Sequence, residues 1–286
     1  MLELHCHTTY SDGTLTPEQL VQRAAQAGVR ALALTDHDTL AGWAEAEQAG
    51  QACGVEIIPG VELSTAHNDR SLHILGFYPA RDRLESPLQE RVAGRWRRAQ
   101  AIADKLAALG YPIELPECRP GLAPARPHLA RALVEAGHAN STRQAFDRWL
   151  HDGGPAFVAY EKFSATAGIA LLRACGAVTV WAHPYLFRGG AVEVVLPALV
   201  AAGLQGLEVY HPSHKPAEIA HLEDLSQQYG LLRTGGSDYH GPNAKGVEET
   251  HLNQLQLPLS LLTAVQARAK MSGAGDRHLD GQTIPT

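Results

Sequence analysis

The residues of this chain that could do chemistry are histidines and carboxylates that recur near the ends of short apolar segments. They are His5, His7, Asp36, His37, Glu62, His73, His183, His211, Asp238 and His240. His5 and His7 are two residues apart on an extended segment, so both rings lie on the same side and could bind one ion. The full set contains more ligands than one ion can bind. We therefore expect two or three ions that share a bridging carboxylate, for which Glu62 is the natural candidate.

The ligand types indicate which ions and which reaction to expect. Imidazole and carboxylate ligands without a thiolate cluster suit Mn²⁺, Fe²⁺ or Zn²⁺ better than a structural zinc site, and Mn²⁺ is our first choice. Such ions lower the pKa of a bound water and hold the attacking and leaving oxygens of a phosphoryl transfer. Any one of these histidines alone is better explained as a partly buried structural residue. Their joint placement favours metal binding.

The elements that must position these residues alternate between strand and helix. Strands are predicted at residues 2–4, 31–34, 55–58, 72–75, 177–180, 206–209 and 231–234. Thr16, Pro17 and Gln19 form a capping-box pattern that predicts a helix running to Gly28, and a second helix is expected over residues 40–52. This alternation predicts an α/β fold with a mainly parallel sheet. In parallel barrels the carboxyl ends of the strands carry the active site, so the candidate ligands should converge there.

A helical segment interrupts this alternation in the middle of the chain. We predict a barrel formed by residues 1–85 and 155–271, a helical insertion over residues 86–154 that covers the substrate, and a flexible tail over residues 272–286. Residues 81–148 carry a net charge of +4, whereas the rest of the chain carries −10. A basic cover over an acidic barrel would suit an anionic substrate.

Several cations of and near this insertion are candidate substrate contacts. Arg126 precedes a proline that can begin a helix, from which its guanidinium could reach a phosphate. Arg131 and Lys162 are further candidates. The arginines of the first long helix are expected on a solvated face; they are Arg91, Arg95, Arg97 and Arg98.

Composition limits the other classes of function. With 286 residues, 45% of them hydrophobic, the chain can bury a full core, and its net charge of −6 argues against a general polyanion-binding surface. The four cysteines are scattered without a CxxC pair, which fits reduced thiols. No apolar run approaches the roughly 18 residues that span a bilayer. We expect a cytoplasmic protein without a membrane or protein partner.

The motifs together resemble those of the PHP (polymerase and histidinol phosphatase) family. The matching segments are His5-Cys6-His7-Thr8 with Asp12, Thr35-Asp36-His37-Asp38, Gly60-Val61-Glu62, His73, Ala182-His183-Pro184 and Gly236-Ser237-Asp238-Tyr239-His240. They occur in the family's order over roughly residues 1–80 and 175–250. The resemblance implies a distorted (β/α)7 barrel, here with the helical insertion domain, and a trinuclear metal centre.

The resemblance also implies how nine ligands divide among three ions. One ion would bind His5, His7, Glu62 and Asp238. A second would bind Glu62, His73 and His183. A third would bind Asp12, His37 and His240. No ligand position is substituted, which favours an active enzyme over a PHP module that has only a structural role.

Three further residues have predicted roles at this centre. Asp36 would orient a metal-bound histidine and assist catalysis, or else it caps a turn or helix. His211 would contact the substrate or transfer a proton, or else it is a structural turn residue. A hydroxide shared by the first two ions would attack phosphorus, and His211 or Asp238 would protonate the leaving oxygen.

Within the family, the chain looks most like the small phosphoesterases that act on nucleotides. We predict a phosphomonoesterase that removes the 3′-phosphate of nucleoside 3′,5′-bisphosphates, for example converting adenosine 3′,5′-bisphosphate to AMP. A 5′-to-3′ exoribonuclease on short RNA is the second choice, since the basic insertion allows short oligoribonucleotides. Histidinol phosphatase is third.

Overall fold

Seven strands form one sheet in a computed structural model, which describes residues 1–117, 121–159, 163–242 and 251–276. The strands follow one another in the sheet in chain order: β1 Leu2–Glu3, β2 Ala31–Leu34, β3 Glu56–His67, β4 Arg70–Phe77, β5 Val178–Trp181, β6 Gly206–Tyr210 and β7 Leu232–Gly235. The first and last strands meet, because the Leu4 N–H donates to the Gly235 carbonyl at 3.3 Å and Cys6 bridges to Tyr239. The sheet is thus a nearly closed barrel, which confirms the predicted fold class.

Helices surround this barrel and form the insertion. They are α1 Pro17–Gln26, α2 Trp43–Cys53, α3 Arg81–Ala108, α4 Arg126–Glu135, α5 Thr142–Ala145 with a π-helical continuation Phe146–Leu150, α6 Ala165–Ala174, α7 Val192–Ala201, α8 Pro216–Tyr229 and α9 Ser260–Asp276. The predicted capping box of α1 is present, because Thr16 Oγ1 accepts from Gln19 N–H at 3.2 Å and Gln19 Oε1 accepts from Thr16 N–H at 3.0 Å. None of the helices in the described ranges is both long and apolar enough to cross a bilayer.

The sheet departs from strict strand–helix alternation at one place. β3 and β4 form an antiparallel hairpin, and β4 also pairs antiparallel with β5, whereas the other neighbouring strands are parallel. Asn68 and Asp69 form the turn with φ of 50° and 56°, which is typical of a type I′ hairpin. β3 therefore continues past its predicted end through polar residues, and Glu62 lies within the strand rather than after it. β4 returns towards the same end of the barrel, where it places His73.

Helix α3 connects the barrel to the insertion and crosses the predicted boundary between them. It begins at Arg81, before the predicted insertion boundary at residue 86. Leu84 and Leu88 belong to the largest core cluster, which also contains barrel strands and their helices, whereas Ile102 and Leu106 belong to a separate core within the insertion. The boundary between the two units therefore falls inside one helix.

Burial along α3 also contradicts the predicted solvated face of arginines. Arg95 and Arg98 are buried, and Arg91 is partly buried with its guanidinium 4.3 Å from the centre of the Phe163 ring. Arg97 is exposed and pairs with Glu90 at 2.8 Å. The helix has packed surfaces on more than one side, which hydrophobic periodicity alone does not reveal.

The last described helix also extends into the predicted tail. α9 continues to Asp276, so residues 272–276 are helical where we predicted a flexible segment. Residues 277–286 lie outside the described residues, and their flexibility stays a prediction.

Candidate metal centre

All nine predicted ligands come together at one end of the barrel. His5 and His7 follow β1, His37 follows β2, and Glu62 and His73 lie on the β3–β4 hairpin. His183 follows β5, and Asp238 and His240 follow β7. The backbone fixes the first segment, because His7 N–H donates to the Tyr239 carbonyl at 2.9 Å. His73, His183 and Asp238 are partly buried, and the other six are buried.

Results

Sequence analysis

The residues of this chain that could do chemistry are histidines and carboxylates that recur near the ends of short apolar segments. They are His5, His7, Asp36, His37, Glu62, His73, His183, His211, Asp238 and His240. His5 and His7 are two residues apart on an extended segment, so both rings lie on the same side and could bind one ion. The full set contains more ligands than one ion can bind. We therefore expect two or three ions that share a bridging carboxylate, for which Glu62 is the natural candidate.

The ligand types indicate which ions and which reaction to expect. Imidazole and carboxylate ligands without a thiolate cluster suit Mn²⁺, Fe²⁺ or Zn²⁺ better than a structural zinc site, and Mn²⁺ is our first choice. Such ions lower the pKa of a bound water and hold the attacking and leaving oxygens of a phosphoryl transfer. Any one of these histidines alone is better explained as a structural residue. Their joint placement favours metal binding.

The elements that must position these residues alternate between strand and helix. Strands are predicted at residues 2–4, 31–34, 55–58, 72–75, 177–180, 206–209 and 231–234. Thr16, Pro17 and Gln19 form a capping-box pattern that predicts a helix running to Gly28, and a second helix is expected over residues 40–52. This alternation predicts an α/β fold with a mainly parallel sheet. In parallel barrels the carboxyl ends of the strands carry the active site, so the candidate ligands should converge there.

A helical segment interrupts this alternation in the middle of the chain. We predict a barrel formed by residues 1–85 and 155–271, a helical insertion over residues 86–154 that covers the substrate, and a flexible tail over residues 272–286. Residues 81–148 carry a net charge of +4, whereas the rest of the chain carries −10. A basic cover over an acidic barrel would suit an anionic substrate.

Several cations in and near this insertion are candidate substrate contacts. Arg126 precedes a proline that can begin a helix, from which its guanidinium could reach a phosphate. Arg131 and Lys162 are further candidates. The arginines of the first long helix are expected on a solvated face; they are Arg91, Arg95, Arg97 and Arg98.

Composition limits the other classes of function. With 286 residues, 45% of them hydrophobic, the chain can bury a full core, and its net charge of −6 argues against a general polyanion-binding surface. The four cysteines are scattered without a CxxC pair, which fits reduced thiols. No apolar run approaches the roughly 18 residues that span a bilayer. We expect a cytoplasmic protein without a membrane or protein partner.

The motifs together resemble those of the PHP (polymerase and histidinol phosphatase) family. The matching segments are His5-Cys6-His7-Thr8 with Asp12, Thr35-Asp36-His37-Asp38, Gly60-Val61-Glu62, His73, Ala182-His183-Pro184 and Gly236-Ser237-Asp238-Tyr239-His240. They occur in the family's order over roughly residues 1–80 and 175–250. The resemblance implies a distorted (β/α)7 barrel, here with a helical insertion domain, and a trinuclear metal centre.

The resemblance also implies how nine ligands divide among three ions. One ion would bind His5, His7, Glu62 and Asp238. A second would bind Glu62, His73 and His183. A third would bind Asp12, His37 and His240. No ligand position is substituted, which favours an active enzyme over a PHP module that has only a structural role.

Three residues have predicted roles in catalysis at this centre. Asp36 would orient a metal-bound histidine, or else it caps a turn or helix. His211 would contact the substrate or transfer a proton, or else it is a structural turn residue. A hydroxide shared by the first two ions would attack phosphorus, and His211 or Asp238 would protonate the leaving oxygen.

Within the family, the chain looks most like the small phosphoesterases that act on nucleotides. We predict a phosphomonoesterase that removes the 3′-phosphate of nucleoside 3′,5′-bisphosphates, for example converting adenosine 3′,5′-bisphosphate to AMP. A 5′-to-3′ exoribonuclease is the second choice, since the basic insertion allows short oligoribonucleotides. Histidinol phosphatase is third.

Overall fold

Seven strands form one sheet in a computed structural model, which describes residues 1–117, 121–159, 163–242 and 251–276. The strands follow one another in the sheet in chain order: β1 Leu2–Glu3, β2 Ala31–Leu34, β3 Glu56–His67, β4 Arg70–Phe77, β5 Val178–Trp181, β6 Gly206–Tyr210 and β7 Leu232–Gly235. The two ends of the sheet meet, because the Leu4 N–H donates to the Gly235 carbonyl at 3.3 Å and Cys6 bridges to Tyr239. The sheet is thus a nearly closed barrel, which confirms the predicted fold class.

Helices surround this barrel and form the insertion. They are α1 Pro17–Gln26, α2 Trp43–Cys53, α3 Arg81–Ala108, α4 Arg126–Glu135, α5 Thr142–Ala145 with a π-helical continuation Phe146–Leu150, α6 Ala165–Ala174, α7 Val192–Ala201, α8 Pro216–Tyr229 and α9 Ser260–Asp276. The predicted capping box of α1 is present, because Thr16 Oγ1 accepts from Gln19 N–H at 3.2 Å and Gln19 Oε1 accepts from Thr16 N–H at 3.0 Å. None of the helices in the described ranges is both long and apolar enough to cross a bilayer.

The sheet departs from strict strand–helix alternation at one place. β3 and β4 form an antiparallel hairpin, and β4 also pairs antiparallel with β5, whereas the other neighbouring strands are parallel. Asn68 and Asp69 form the turn with φ of 50° and 56°, which is typical of a type I′ hairpin. β3 therefore continues past its predicted end, and Glu62 lies within the strand rather than after it. β4 returns along β3 and places His73 opposite Ser64.

Helix α3 connects the barrel to the insertion and crosses the predicted boundary between them. It begins at Arg81, before residue 86, where we expected the insertion to start. Leu84 and Leu88 belong to the largest core cluster, which packs helices such as α1 and α6 against the barrel. Ile102 and Leu106 belong to a separate core within the insertion. The boundary between the two units therefore falls inside one helix.

Burial along α3 also contradicts the predicted solvated face of arginines. Arg95 and Arg98 are buried, and Arg91 is partly buried with its guanidinium 4.3 Å from the centre of the Phe163 ring. Arg97 is exposed and pairs with Glu90 at 2.8 Å. The helix is packed on more than one side, which its sequence periodicity did not reveal.

The last described helix extends into the predicted tail. α9 continues to Asp276, so residues 272–276 are helical where we predicted a flexible segment. Residues 277–286 lie outside the described residues, and their flexibility stays a prediction.

Candidate metal centre

All nine predicted ligands come together at one end of the barrel. They lie after β1 (His5, His7 and Asp12), after β2 (His37), on the β3–β4 hairpin (Glu62 and His73), after β5 (His183) and after β7 (Asp238 and His240). The backbone fixes the first segment, because the His7 N–H donates to the Tyr239 carbonyl at 2.9 Å. His73, His183 and Asp238 are partly buried, and the other six are buried. The convergence predicted from the strand ends is therefore observed.

Glu62 lies at the centre of this cluster. Its carboxylate is 1% exposed, and five imidazole nitrogens surround it. Oε2 lies 3.4 Å from His5 Nε2, 3.2 Å from His7 Nε2 and 3.0 Å from His37 Nδ1; Oε1 lies 2.9 Å from His73 Nδ1 and 3.1 Å from His183 Nε2. A carboxylate whose two oxygens face different histidines has the arrangement that a bridging ligand needs.

The potential ligand atoms fall into four overlapping groups, each with its atoms within 4.8 Å of one another. The groups are His7, Asp12, His37 and His240; His5, His7 and Asp238; His5, Glu62 and His183; and His37, Glu62 and His73. The predicted third set appears with His7 added. The predicted second set is not one of the four groups. His73 and His183 approach the same oxygen of Glu62, but His73 groups with His37 and His183 groups with His5.

The buried polar atoms of the cluster are suited to binding divalent ions. His5 Nε2, His7 Nε2, His37 Nδ1 and Asp12 Oδ1 are buried without a hydrogen-bonding partner. Leaving such atoms unpaired costs free energy, which ion coordination would remove. The donor set is nitrogen and oxygen, with no cysteine in any of the four groups. Buried His, Asp and Glu side chains of this kind are suited to several metal ions.

Charges within the cluster shift the pKa values of its members in opposite directions. Burial alone lowers the pKa of a histidine, yet the carboxylates Asp238 and Glu62 raise the pKa of His7 to about 9. Burial alone raises the pKa of a carboxyl group, yet His37 and His73 hold the pKa of Glu62 well below its usual range. Protons on the imidazoles balance the carboxylates when ions are absent, so ion binding should release protons.

Glu208 on β6 is a site residue that the sequence reasoning missed. His5 Nδ1–H donates to Glu208 Oε1 at 2.9 Å, and the His183 N–H donates to Oε2 at 2.7 Å. The first bond fixes the His5 tautomer whose Nε2 lone pair faces the cluster. The second holds His183 in a left-handed backbone conformation with φ of 34°. A glutamate inside the apolar predicted strand 206–209 was the available signal.

Asp36 supports the segment that carries His7 and Asp12. Its carboxylate accepts from the Thr8 N–H at 2.7 Å, the Thr8 hydroxyl at 2.6 Å and the Ser11 hydroxyl at 2.6 Å. Ser11 Oγ in turn lies 3.3 Å from His7 Nδ1. Asp36 thus reaches a predicted ligand through Ser11, which fits the predicted orienting role, and its involvement in catalysis stays a prediction.

His211 is buried beside the cluster and has a defined proton position. Its Nδ1 accepts from the Ser213 N–H at 3.1 Å, so the neutral ring carries its proton on Nε2. Nε2 has no hydrogen-bonding partner and lies 3.8 Å from Asp238 Oδ2. The ring can therefore present an N–H to a bound molecule.

The predicted substrate cations have different surroundings. Arg126 Nη1 donates to the Leu150 carbonyl at 2.9 Å and to Asp152 Oδ1 at 2.7 Å. Arg131 is close enough to the cluster for the charge of Asp12 to act on its pKa, which burial lowers. Lys162 lies outside the described residues.

Two features beside these cations were not predicted. Burial, followed by the charge of Arg131, lowers the pKa of His128 to about 4, so this α4 side chain is neutral near pH 7. A cavity of about 120 Å³ is lined by three arginines, two aspartates and Ser71, among others; the charged residues are Arg70, Arg98, Arg126, Asp69 and Asp152. Ser71 Oγ lies 2.9 Å from His73 Nε2, so this cavity adjoins the cluster.

Comparison with known proteins gives a consistent result. The PHP domain model matches residues 3–115. A 5′-3′ exoribonuclease of Haemophilus influenzae is 38% identical over 84% of this chain and 90% of its own length. A 3′,5′-nucleoside bisphosphate phosphatase of Chromobacterium violaceum is 32% identical over 89% of this chain and 92% of its own length. A crystal structure of a metal-dependent phosphoesterase from Bifidobacterium adolescentis superposes with a TM-score of 0.82 at 31% identity, covering 93% of this chain and 96% of that one.

Proposed function

Because this chain belongs to the PHP family and is a metal-dependent phosphoesterase, we propose that it removes the 3′-phosphate of nucleoside 3′,5′-bisphosphates. The supporting observation is the cavity beside the cluster, where three arginines outnumber two aspartates in the lining. A bisphosphate needs two anion sites, one on the ions and one on fixed cations a short distance away. Ser71 connects the cavity to His73 of the cluster, which gives this second site. The Chromobacterium violaceum relative acts on such nucleotides.

Three ions on the nine clustered side chains are part of this proposal, and Mn²⁺ is the ion we would test first. The ions would supply an activated water at neutral pH and neutralise charge on the phosphoryl oxygens. Glu62 would bridge them, since its two oxygens face different histidines. Glu208 would keep His5 in the ligating tautomer.

The other steps are assigned to residues around the cluster. Arg131 would bind a non-bridging phosphoryl oxygen, because a guanidinium forms strong charge-assisted bonds to phosphate. The neutral His211 ring would donate an Nε2–H hydrogen bond to the leaving 3′-oxygen and stabilise the charge that develops there, since the Ser213 N–H occupies Nδ1; a water would then protonate that oxygen. Asp238 Oδ2, at 3.8 Å, would orient that ring. The insertion would exclude water from the cluster, as the buried ligands require.

Exoribonuclease activity on short RNA is the second candidate. The Haemophilus influenzae relative favours it, because it is a 5′-3′ exoribonuclease that matches over 90% of its length. The net charge of +4 over residues 81–148 would also favour a short polyanion. Histidinol phosphatase is third. The non-enzymatic module is not retained, because the matches extend over nearly the whole length of proteins named for hydrolysing phosphate esters.

The experiment that tests the proposal is a substrate panel. Mn²⁺-loaded protein is offered 3′-, 5′- and 3′,5′-phosphorylated nucleosides, histidinol phosphate and 5′-phosphorylated RNA of two to five nucleotides, with chelator-stripped protein as the control. We expect the highest kcat/KM for the 3′,5′-bisphosphate, with phosphate released from the 3′ position. Preference for histidinol phosphate would refute a nucleotide substrate. Activity on RNA alone would establish the second candidate instead.

A further inference from the structure

Arg95 of α3 is hydrogen bonded to three separate segments. Its side chain is 2% exposed, and its Nε donates to Asp38 Oδ2 at 2.6 Å. Nη2 donates to Ser64 Oγ at 2.6 Å, and Nη1 donates to the Pro124 carbonyl at 3.2 Å. The three acceptors lie after β2, on β3 and just before α4. One guanidinium therefore joins two strands of the metal centre to the cover.

The acceptors on the barrel are next to predicted ligands. Asp38 follows His37 directly, and Ser64 lies two residues after Glu62 on the same strand. Asp38 Oδ1 accepts from the Ser64 N–H at 2.9 Å, and the Asp38 N–H donates to the Glu62 carbonyl at 3.1 Å. The Asp38 carboxylate is buried, so its charge depends on the Arg95 guanidinium for compensation.

The acceptor on the cover leads directly into α4. Pro124 precedes Ala125, whose N–H donates to His128 Nδ1 at 3.1 Å. Two further bonds hold the same segment: the Thr39 hydroxyl donates to the Gly121 carbonyl at 2.8 Å, and the Ala123 N–H donates to the Tyr10 carbonyl at 3.0 Å. Residues 121–125 therefore form a strap across the barrel, and the strap sets where α4 begins.

We propose that Arg95 is a positioning residue that places the α4 side chains His128 and Arg131 over the metal centre. The inference rests on the proposed function only in assigning phosphate to Arg131. Three acceptors in different directions require the planar fork of arginine, because a lysine ammonium in the same place would reach at most some of them. Without the bond to Pro124, the strap keeps its anchors at Gly121 and Ala123, but the residue just before the start of α4 loses its link to Asp38 and Ser64.

A double-mutant cycle tests whether Arg95 acts through Arg131. We expect R95K to lower kcat/KM for the preferred phosphate ester at least tenfold in the wild-type background, and less than twofold in the R131A background. Effects of R95K and R131A that multiply fully would overturn the proposal.

Results

Sequence analysis

The residues of this chain that could do chemistry are histidines and carboxylates that recur near the ends of short apolar segments. They are His5, His7, Asp36, His37, Glu62, His73, His183, His211, Asp238 and His240. His5 and His7 are two residues apart on an extended segment, so both rings lie on the same side and could bind one ion. The full set contains more ligands than one ion can bind. We therefore expect two or three ions that share a bridging carboxylate, for which Glu62 is the natural candidate.

The ligand types indicate which ions and which reaction to expect. Imidazole and carboxylate ligands without a thiolate cluster suit Mn²⁺, Fe²⁺ or Zn²⁺ better than a structural zinc site, and Mn²⁺ is our first choice. Such ions lower the pKa of a bound water and hold the attacking and leaving oxygens of a phosphoryl transfer. Any one of these histidines alone is better explained as a structural residue. Their joint placement favours metal binding.

The elements that must position these residues alternate between strand and helix. Strands are predicted at residues 2–4, 31–34, 55–58, 72–75, 177–180, 206–209 and 231–234. Thr16, Pro17 and Gln19 form a capping-box pattern that predicts a helix running to Gly28, and a second helix is expected over residues 40–52. This alternation predicts an α/β fold with a mainly parallel sheet. In parallel barrels the carboxyl ends of the strands carry the active site, so the candidate ligands should converge there.

A helical segment interrupts this alternation in the middle of the chain. We predict a barrel formed by residues 1–85 and 155–271, a helical insertion over residues 86–154 that covers the substrate, and a flexible tail over residues 272–286. Residues 81–148 carry a net charge of +4, whereas the rest of the chain carries −10. A basic cover over an acidic barrel would suit an anionic substrate.

Several cations in and near this insertion are candidate substrate contacts. Arg126 precedes a proline that can begin a helix, from which its guanidinium could reach a phosphate. Arg131 and Lys162 are further candidates. The arginines of the first long helix are expected on a solvated face; they are Arg91, Arg95, Arg97 and Arg98.

Composition limits the other classes of function. With 286 residues, 45% of them hydrophobic, the chain can bury a full core, and its net charge of −6 argues against a general polyanion-binding surface. The four cysteines are scattered without a CxxC pair, which fits reduced thiols. No apolar run approaches the roughly 18 residues that span a bilayer. We expect a cytoplasmic protein without a membrane or protein partner.

The motifs together resemble those of the PHP (polymerase and histidinol phosphatase) family. The matching segments are His5-Cys6-His7-Thr8 with Asp12, Thr35-Asp36-His37-Asp38, Gly60-Val61-Glu62, His73, Ala182-His183-Pro184 and Gly236-Ser237-Asp238-Tyr239-His240. They occur in the family's order over roughly residues 1–80 and 175–250. The resemblance implies a distorted (β/α)7 barrel, here with a helical insertion domain, and a trinuclear metal centre.

The resemblance also implies how nine ligands divide among three ions. One ion would bind His5, His7, Glu62 and Asp238. A second would bind Glu62, His73 and His183. A third would bind Asp12, His37 and His240. No ligand position is substituted, which favours an active enzyme over a PHP module that has only a structural role.

Three residues have predicted roles in catalysis at this centre. Asp36 would orient a metal-bound histidine, or else it caps a turn or helix. His211 would contact the substrate or transfer a proton, or else it is a structural turn residue. A hydroxide shared by the first two ions would attack phosphorus, and His211 or Asp238 would protonate the leaving oxygen.

Within the family, the chain looks most like the small phosphoesterases that act on nucleotides. We predict a phosphomonoesterase that removes the 3′-phosphate of nucleoside 3′,5′-bisphosphates, for example converting adenosine 3′,5′-bisphosphate to AMP. A 5′-to-3′ exoribonuclease is the second choice, since the basic insertion allows short oligoribonucleotides. Histidinol phosphatase is third.

Overall fold

Seven strands form one sheet in a computed structural model, which describes residues 1–117, 121–159, 163–242 and 251–276. The strands follow one another in the sheet in chain order: β1 Leu2–Glu3, β2 Ala31–Leu34, β3 Glu56–His67, β4 Arg70–Phe77, β5 Val178–Trp181, β6 Gly206–Tyr210 and β7 Leu232–Gly235. The two ends of the sheet meet, because the Leu4 N–H donates to the Gly235 carbonyl at 3.3 Å and Cys6 bridges to Tyr239. The sheet is thus a nearly closed barrel, which confirms the predicted fold class.

Helices surround this barrel and form the insertion. They are α1 Pro17–Gln26, α2 Trp43–Cys53, α3 Arg81–Ala108, α4 Arg126–Glu135, α5 Thr142–Ala145 with a π-helical continuation Phe146–Leu150, α6 Ala165–Ala174, α7 Val192–Ala201, α8 Pro216–Tyr229 and α9 Ser260–Asp276. The predicted capping box of α1 is present, because Thr16 Oγ1 accepts from the Gln19 N–H at 3.2 Å and Gln19 Oε1 accepts from the Thr16 N–H at 3.0 Å. None of the helices in the described ranges is both long and apolar enough to cross a bilayer.

The sheet departs from strict strand–helix alternation at one place. β3 and β4 form an antiparallel hairpin, and β4 also pairs antiparallel with β5, whereas the other neighbouring strands are parallel. Asn68 and Asp69 form the turn with φ of 50° and 56°, which is typical of a type I′ hairpin. β3 therefore continues past its predicted end, and Glu62 lies within the strand rather than after it. β4 returns along β3 and places His73 opposite Ser64.

Helix α3 connects the barrel to the insertion and crosses the predicted boundary between them. It begins at Arg81, before residue 86, where we expected the insertion to start. Leu84 and Leu88 belong to the largest core cluster, which packs helices such as α1 and α6 against the barrel. Ile102 and Leu106 belong to a separate core within the insertion. The boundary between the two units therefore falls inside one helix.

Burial along α3 also contradicts the predicted solvated face of arginines. Arg95 and Arg98 are buried, and Arg91 is partly buried with its guanidinium 4.3 Å from the centre of the Phe163 ring. Arg97 alone of the four is exposed, and it pairs with a glutamate at the surface. The helix is packed on more than one side, which its sequence periodicity did not reveal.

The last described helix extends into the predicted tail. α9 continues to Asp276, so residues 272–276 are helical where we predicted a flexible segment. Residues 277–286 lie outside the described residues, and their flexibility stays a prediction.

Candidate metal centre

All nine predicted ligands come together at one end of the barrel. They lie after β1 (His5, His7 and Asp12), after β2 (His37), on the β3–β4 hairpin (Glu62 and His73), after β5 (His183) and after β7 (Asp238 and His240). The backbone fixes the first segment, because the His7 N–H donates to the Tyr239 carbonyl at 2.9 Å. His73, His183 and Asp238 are partly buried, and the other six are buried. The convergence predicted from the strand ends is therefore observed.

Glu62 lies at the centre of this cluster. Its side chain is 1% exposed, and five imidazole nitrogens surround its carboxylate. Oε2 lies 3.4 Å from His5 Nε2, 3.2 Å from His7 Nε2 and 3.0 Å from His37 Nδ1; Oε1 lies 2.9 Å from His73 Nδ1 and 3.1 Å from His183 Nε2. A carboxylate whose two oxygens face different histidines has the arrangement that a bridging ligand needs.

The potential ligand atoms fall into four overlapping groups, each with its atoms within 4.8 Å of one another. The groups are His7, Asp12, His37 and His240; His5, His7 and Asp238; His5, Glu62 and His183; and His37, Glu62 and His73. The predicted third set is present with His7 added. The predicted second set is not one of the four groups. His73 and His183 approach the same oxygen of Glu62, but His73 groups with His37 and His183 groups with His5.

The buried polar atoms of the cluster are suited to binding divalent ions. His5 Nε2, His7 Nε2, His37 Nδ1 and Asp12 Oδ1 are buried without a hydrogen-bonding partner. Leaving such atoms unpaired costs free energy, which ion coordination would remove. The donor set is nitrogen and oxygen, with no cysteine in any of the four groups. Buried His, Asp and Glu side chains in this arrangement are consistent with several metal sites.

Charges within the cluster shift the pKa values of its members in opposite directions. Burial alone lowers the pKa of a histidine, yet the carboxylates Asp238 and Glu62 raise the pKa of His7 to about 9. Burial alone raises the pKa of a carboxyl group, yet His37 and His73 hold the pKa of Glu62 well below its usual range. Protons on some imidazoles balance the carboxylates when ions are absent, so ion binding should release protons.

Glu208 on β6 is a site residue that the sequence reasoning missed. His5 Nδ1–H donates to Glu208 Oε1 at 2.9 Å, and the His183 N–H donates to Oε2 at 2.7 Å. The first bond fixes the His5 tautomer whose Nε2 lone pair faces the cluster. The second holds His183 in a left-handed backbone conformation with φ of 34°. A glutamate inside the apolar predicted strand 206–209 was the available signal.

Asp36 supports the segment that carries His7 and Asp12. Its carboxylate accepts from the Thr8 N–H at 2.7 Å, the Thr8 hydroxyl at 2.6 Å and the Ser11 hydroxyl at 2.6 Å. Ser11 Oγ in turn lies 3.3 Å from His7 Nδ1. Asp36 thus reaches a predicted ligand through Ser11. This agrees with an orienting role, and its involvement in catalysis stays a prediction.

His211 is buried beside the cluster and has a defined proton position. Its Nδ1 accepts from the Ser213 N–H at 3.1 Å, so the neutral ring carries its proton on Nε2. Nε2 has no hydrogen-bonding partner and lies 3.8 Å from Asp238 Oδ2. The ring can therefore present an N–H to a bound molecule.

The predicted substrate cations have different surroundings. Arg126 Nη1 donates to the Leu150 carbonyl at 2.9 Å and to Asp152 Oδ1 at 2.7 Å. Arg131 is close enough to the cluster for the charge of Asp12 to act on its pKa, which burial lowers. Lys162 lies outside the described residues.

Two features beside these cations were not predicted. Burial, followed by the charge of Arg131, lowers the pKa of His128 to about 4, so this α4 side chain is neutral near pH 7. A cavity of about 120 Å³ is lined by three arginines, two aspartates and Ser71, among others; the charged residues are Arg70, Arg98, Arg126, Asp69 and Asp152. Ser71 Oγ lies 2.9 Å from His73 Nε2, so this cavity adjoins the cluster.

Comparison with known proteins gives a consistent result. The PHP domain model matches residues 3–115. A 5′-3′ exoribonuclease of Haemophilus influenzae is 38% identical over 84% of this chain and 90% of its own length. A 3′,5′-nucleoside bisphosphate phosphatase of Chromobacterium violaceum is 32% identical over 89% of this chain and 92% of its own length. The crystal structure of a protein from Bifidobacterium adolescentis, described as a metal-dependent phosphoesterase, superposes with a TM-score of 0.82 at 31% identity, covering 93% of this chain and 96% of that one.

Proposed function

Because this chain belongs to the PHP family and is a metal-dependent phosphoesterase, we propose that it removes the 3′-phosphate of nucleoside 3′,5′-bisphosphates. The observation that supports this substrate is the cavity beside the cluster, where three arginines outnumber two aspartates in the lining. A bisphosphate needs two anion sites, one on the ions and one on fixed cations a short distance away. Ser71 connects the cavity to His73, so the cavity could serve as the second site. The Chromobacterium violaceum relative is named for such a substrate.

Three ions on the nine clustered side chains are part of this proposal, and Mn²⁺ is the ion to test first. The ions would supply an activated water at neutral pH and neutralise charge on the phosphoryl oxygens. Glu62 would bridge them, since its two oxygens face different histidines. Glu208 would keep His5 in the ligating tautomer.

The other steps are assigned to residues around the cluster. Arg131 would bind a non-bridging phosphoryl oxygen, because a guanidinium forms strong charge-assisted bonds to phosphate. The neutral His211 ring would donate an Nε2–H hydrogen bond to the leaving 3′-oxygen and stabilise the charge that develops there, since the Ser213 N–H occupies Nδ1; a water would then protonate that oxygen. Asp238 Oδ2, at 3.8 Å, would orient that ring. The insertion would keep bulk water away from the reacting phosphate.

Exoribonuclease activity on short RNA is the second candidate. The Haemophilus influenzae relative favours it, because that 5′-3′ exoribonuclease matches over 90% of its length. The net charge of +4 over residues 81–148 would also favour a short polyanion. Histidinol phosphatase is third. The non-enzymatic module is not retained, because the matches extend over nearly the whole length of proteins named as phosphatase or nuclease.

The experiment that tests the proposal is a substrate panel. Mn²⁺-loaded protein is offered 3′-, 5′- and 3′,5′-phosphorylated nucleosides, histidinol phosphate and short 5′-phosphorylated RNA, with chelator-stripped protein as the control. We expect the highest kcat/KM for the 3′,5′-bisphosphate, with phosphate released from the 3′ position. Preference for histidinol phosphate would refute a nucleotide substrate. Activity on RNA alone would establish the second candidate instead.

A further inference from the structure

Arg95 of α3 is hydrogen bonded to three separate segments. Its side chain is 2% exposed, and its Nε donates to Asp38 Oδ2 at 2.6 Å. Nη2 donates to Ser64 Oγ at 2.6 Å, and Nη1 donates to the Pro124 carbonyl at 3.2 Å. The three acceptors lie after β2, on β3 and just before α4. One guanidinium therefore joins two segments of the metal centre to the insertion.

The acceptors on the barrel are next to predicted ligands. Asp38 follows His37 directly, and Ser64 lies two residues after Glu62 on the same strand. Asp38 Oδ1 accepts from the Ser64 N–H at 2.9 Å, and the Asp38 N–H donates to the Glu62 carbonyl at 3.1 Å. The Asp38 carboxylate is buried, so the Arg95 guanidinium is needed to compensate its charge.

The acceptor on the insertion leads directly into α4. Pro124 precedes Ala125, whose N–H donates to His128 Nδ1 at 3.1 Å. The same segment makes two further bonds to the barrel. The Gly121 carbonyl accepts from the Thr39 hydroxyl at 2.8 Å, and the Ala123 N–H donates to the Tyr10 carbonyl at 3.0 Å. Residues 121–125, which we call the strap, therefore fix where α4 begins.

We propose that Arg95 is a positioning residue that places the α4 side chains His128 and Arg131 beside the metal centre. This inference rests on the proposed function in one respect, namely that Arg131 binds a phosphate group of the substrate. Three acceptors in different directions require the planar fork of arginine, because the single ammonium of lysine cannot reproduce its geometry. Without the bond to Pro124, the strap keeps its anchors at Gly121 and Ala123, but the residue just before the start of α4 loses its link to Asp38 and Ser64.

A double-mutant cycle tests whether Arg95 acts through Arg131. We expect R95K to lower kcat/KM for the preferred phosphate ester about tenfold in the wild-type background, and less than about twofold in the R131A background. R97K is the matched control, because Arg97 lies on the same helix, is exposed and pairs with Glu90 at the surface. The control should retain wild-type kcat/KM. Effects of R95K and R131A that multiply fully would overturn the proposal.

Amide hydrogen exchange gives a second test that needs neither metal nor substrate. In the metal-free protein, R95K should speed exchange in the strap and in the first turn of α4 by about tenfold, while exchange in α8 stays unchanged. R97K should leave both segments unchanged. If R95K does not fold, the D38N/R95M pair removes both buried charges together and should loosen the same segment. Unchanged strap exchange would overturn the inference, whereas a protein without phosphoesterase activity would refute the proposed function alone.

Discussion

Replacing Glu208 by glutamine should weaken metal binding without disrupting the barrel. The carboxylate accepts from His5 Nδ1–H at 2.9 Å and from the His183 N–H at 2.7 Å. Glutamine has nearly the same shape but only one acceptor oxygen, so one of these two bonds is lost. If its NH₂ group faces His5, the ring must carry its proton on Nε2, the atom that would otherwise face an ion.

The size of the effect follows from these contacts. Loss of an outer hydrogen bond to a metal-binding histidine typically lowers metal affinity by 10- to 100-fold, or about 1.4–2.8 kcal/mol. A hydrogen bond to a charged group contributes about 1.5–3 kcal/mol, which agrees with that range. We therefore expect E208Q to raise the Kd for Mn²⁺ by roughly 10- to 100-fold.

The assay is Mn²⁺ titration of chelator-stripped protein by calorimetry at pH 8, with urea unfolding of the metal-free variants as the fold control. E223Q is the matched control, because Glu223 is a partly exposed carboxylate that accepts from the Tyr210 hydroxyl at 2.7 Å. E223Q should retain wild-type affinity. A Kd for E208Q within about twofold of wild type would refute the tautomer reasoning.

Three further predictions follow from the surroundings of the centre. D36A should lower the free energy of unfolding of the metal-free protein by about 3 kcal/mol, because it leaves the buried donors of Thr8 and Ser11 unpaired. A decrease of less than about 1 kcal/mol, measured by urea unfolding, would contradict this. R131A should raise KM for phosphate esters by about tenfold. R126A should raise KM for 3′,5′-bisphosphates more than for 3′-monophosphates. Steady-state kinetics in which R126A affects the two substrates equally would count against separate anion sites. The folded-state pKa of His128, about 4, lies below the unfolded value, so its contribution to stability is present above pH 6.5 and is lost as the pH falls towards 4. H128Q should reduce the stability difference between pH 7 and pH 4.5 by about 2 kcal/mol in urea unfolding, and an unchanged difference would refute this assignment.

The convergence of the candidate ligands could be predicted from the sequence because their positions relative to the strands are a local property. His5 and His183 each follow a short apolar segment, and such segments pair in a barrel that brings their ends together. Glu62 was also identified, although it lies inside β3. The strand was misjudged because it continues through Ser64 and Thr65, whose hydroxyls gave no apolar pattern to follow.

The missed residues depend on contacts between distant parts of the chain. Arg95 is buried because Asp38, Ser64 and Pro124 accept its donors, and none of these is near it in sequence. Charge alone therefore predicted exposure. Glu208 was overlooked for a related reason. The role of a single glutamate in an apolar strand cannot be inferred until the residues that it contacts are known.

The shared helix α3 has a consequence for how the protein unfolds. Leu84 and Leu88 contribute to the core of the barrel, and Ile102 and Leu106 to that of the insertion, with no break in the helix between them. Melting this helix would expose apolar surface in both units at once, so neither can lose its packing while the other stays intact. The two units should therefore behave as one cooperative folding unit, and excising the insertion would remove part of the barrel's own core.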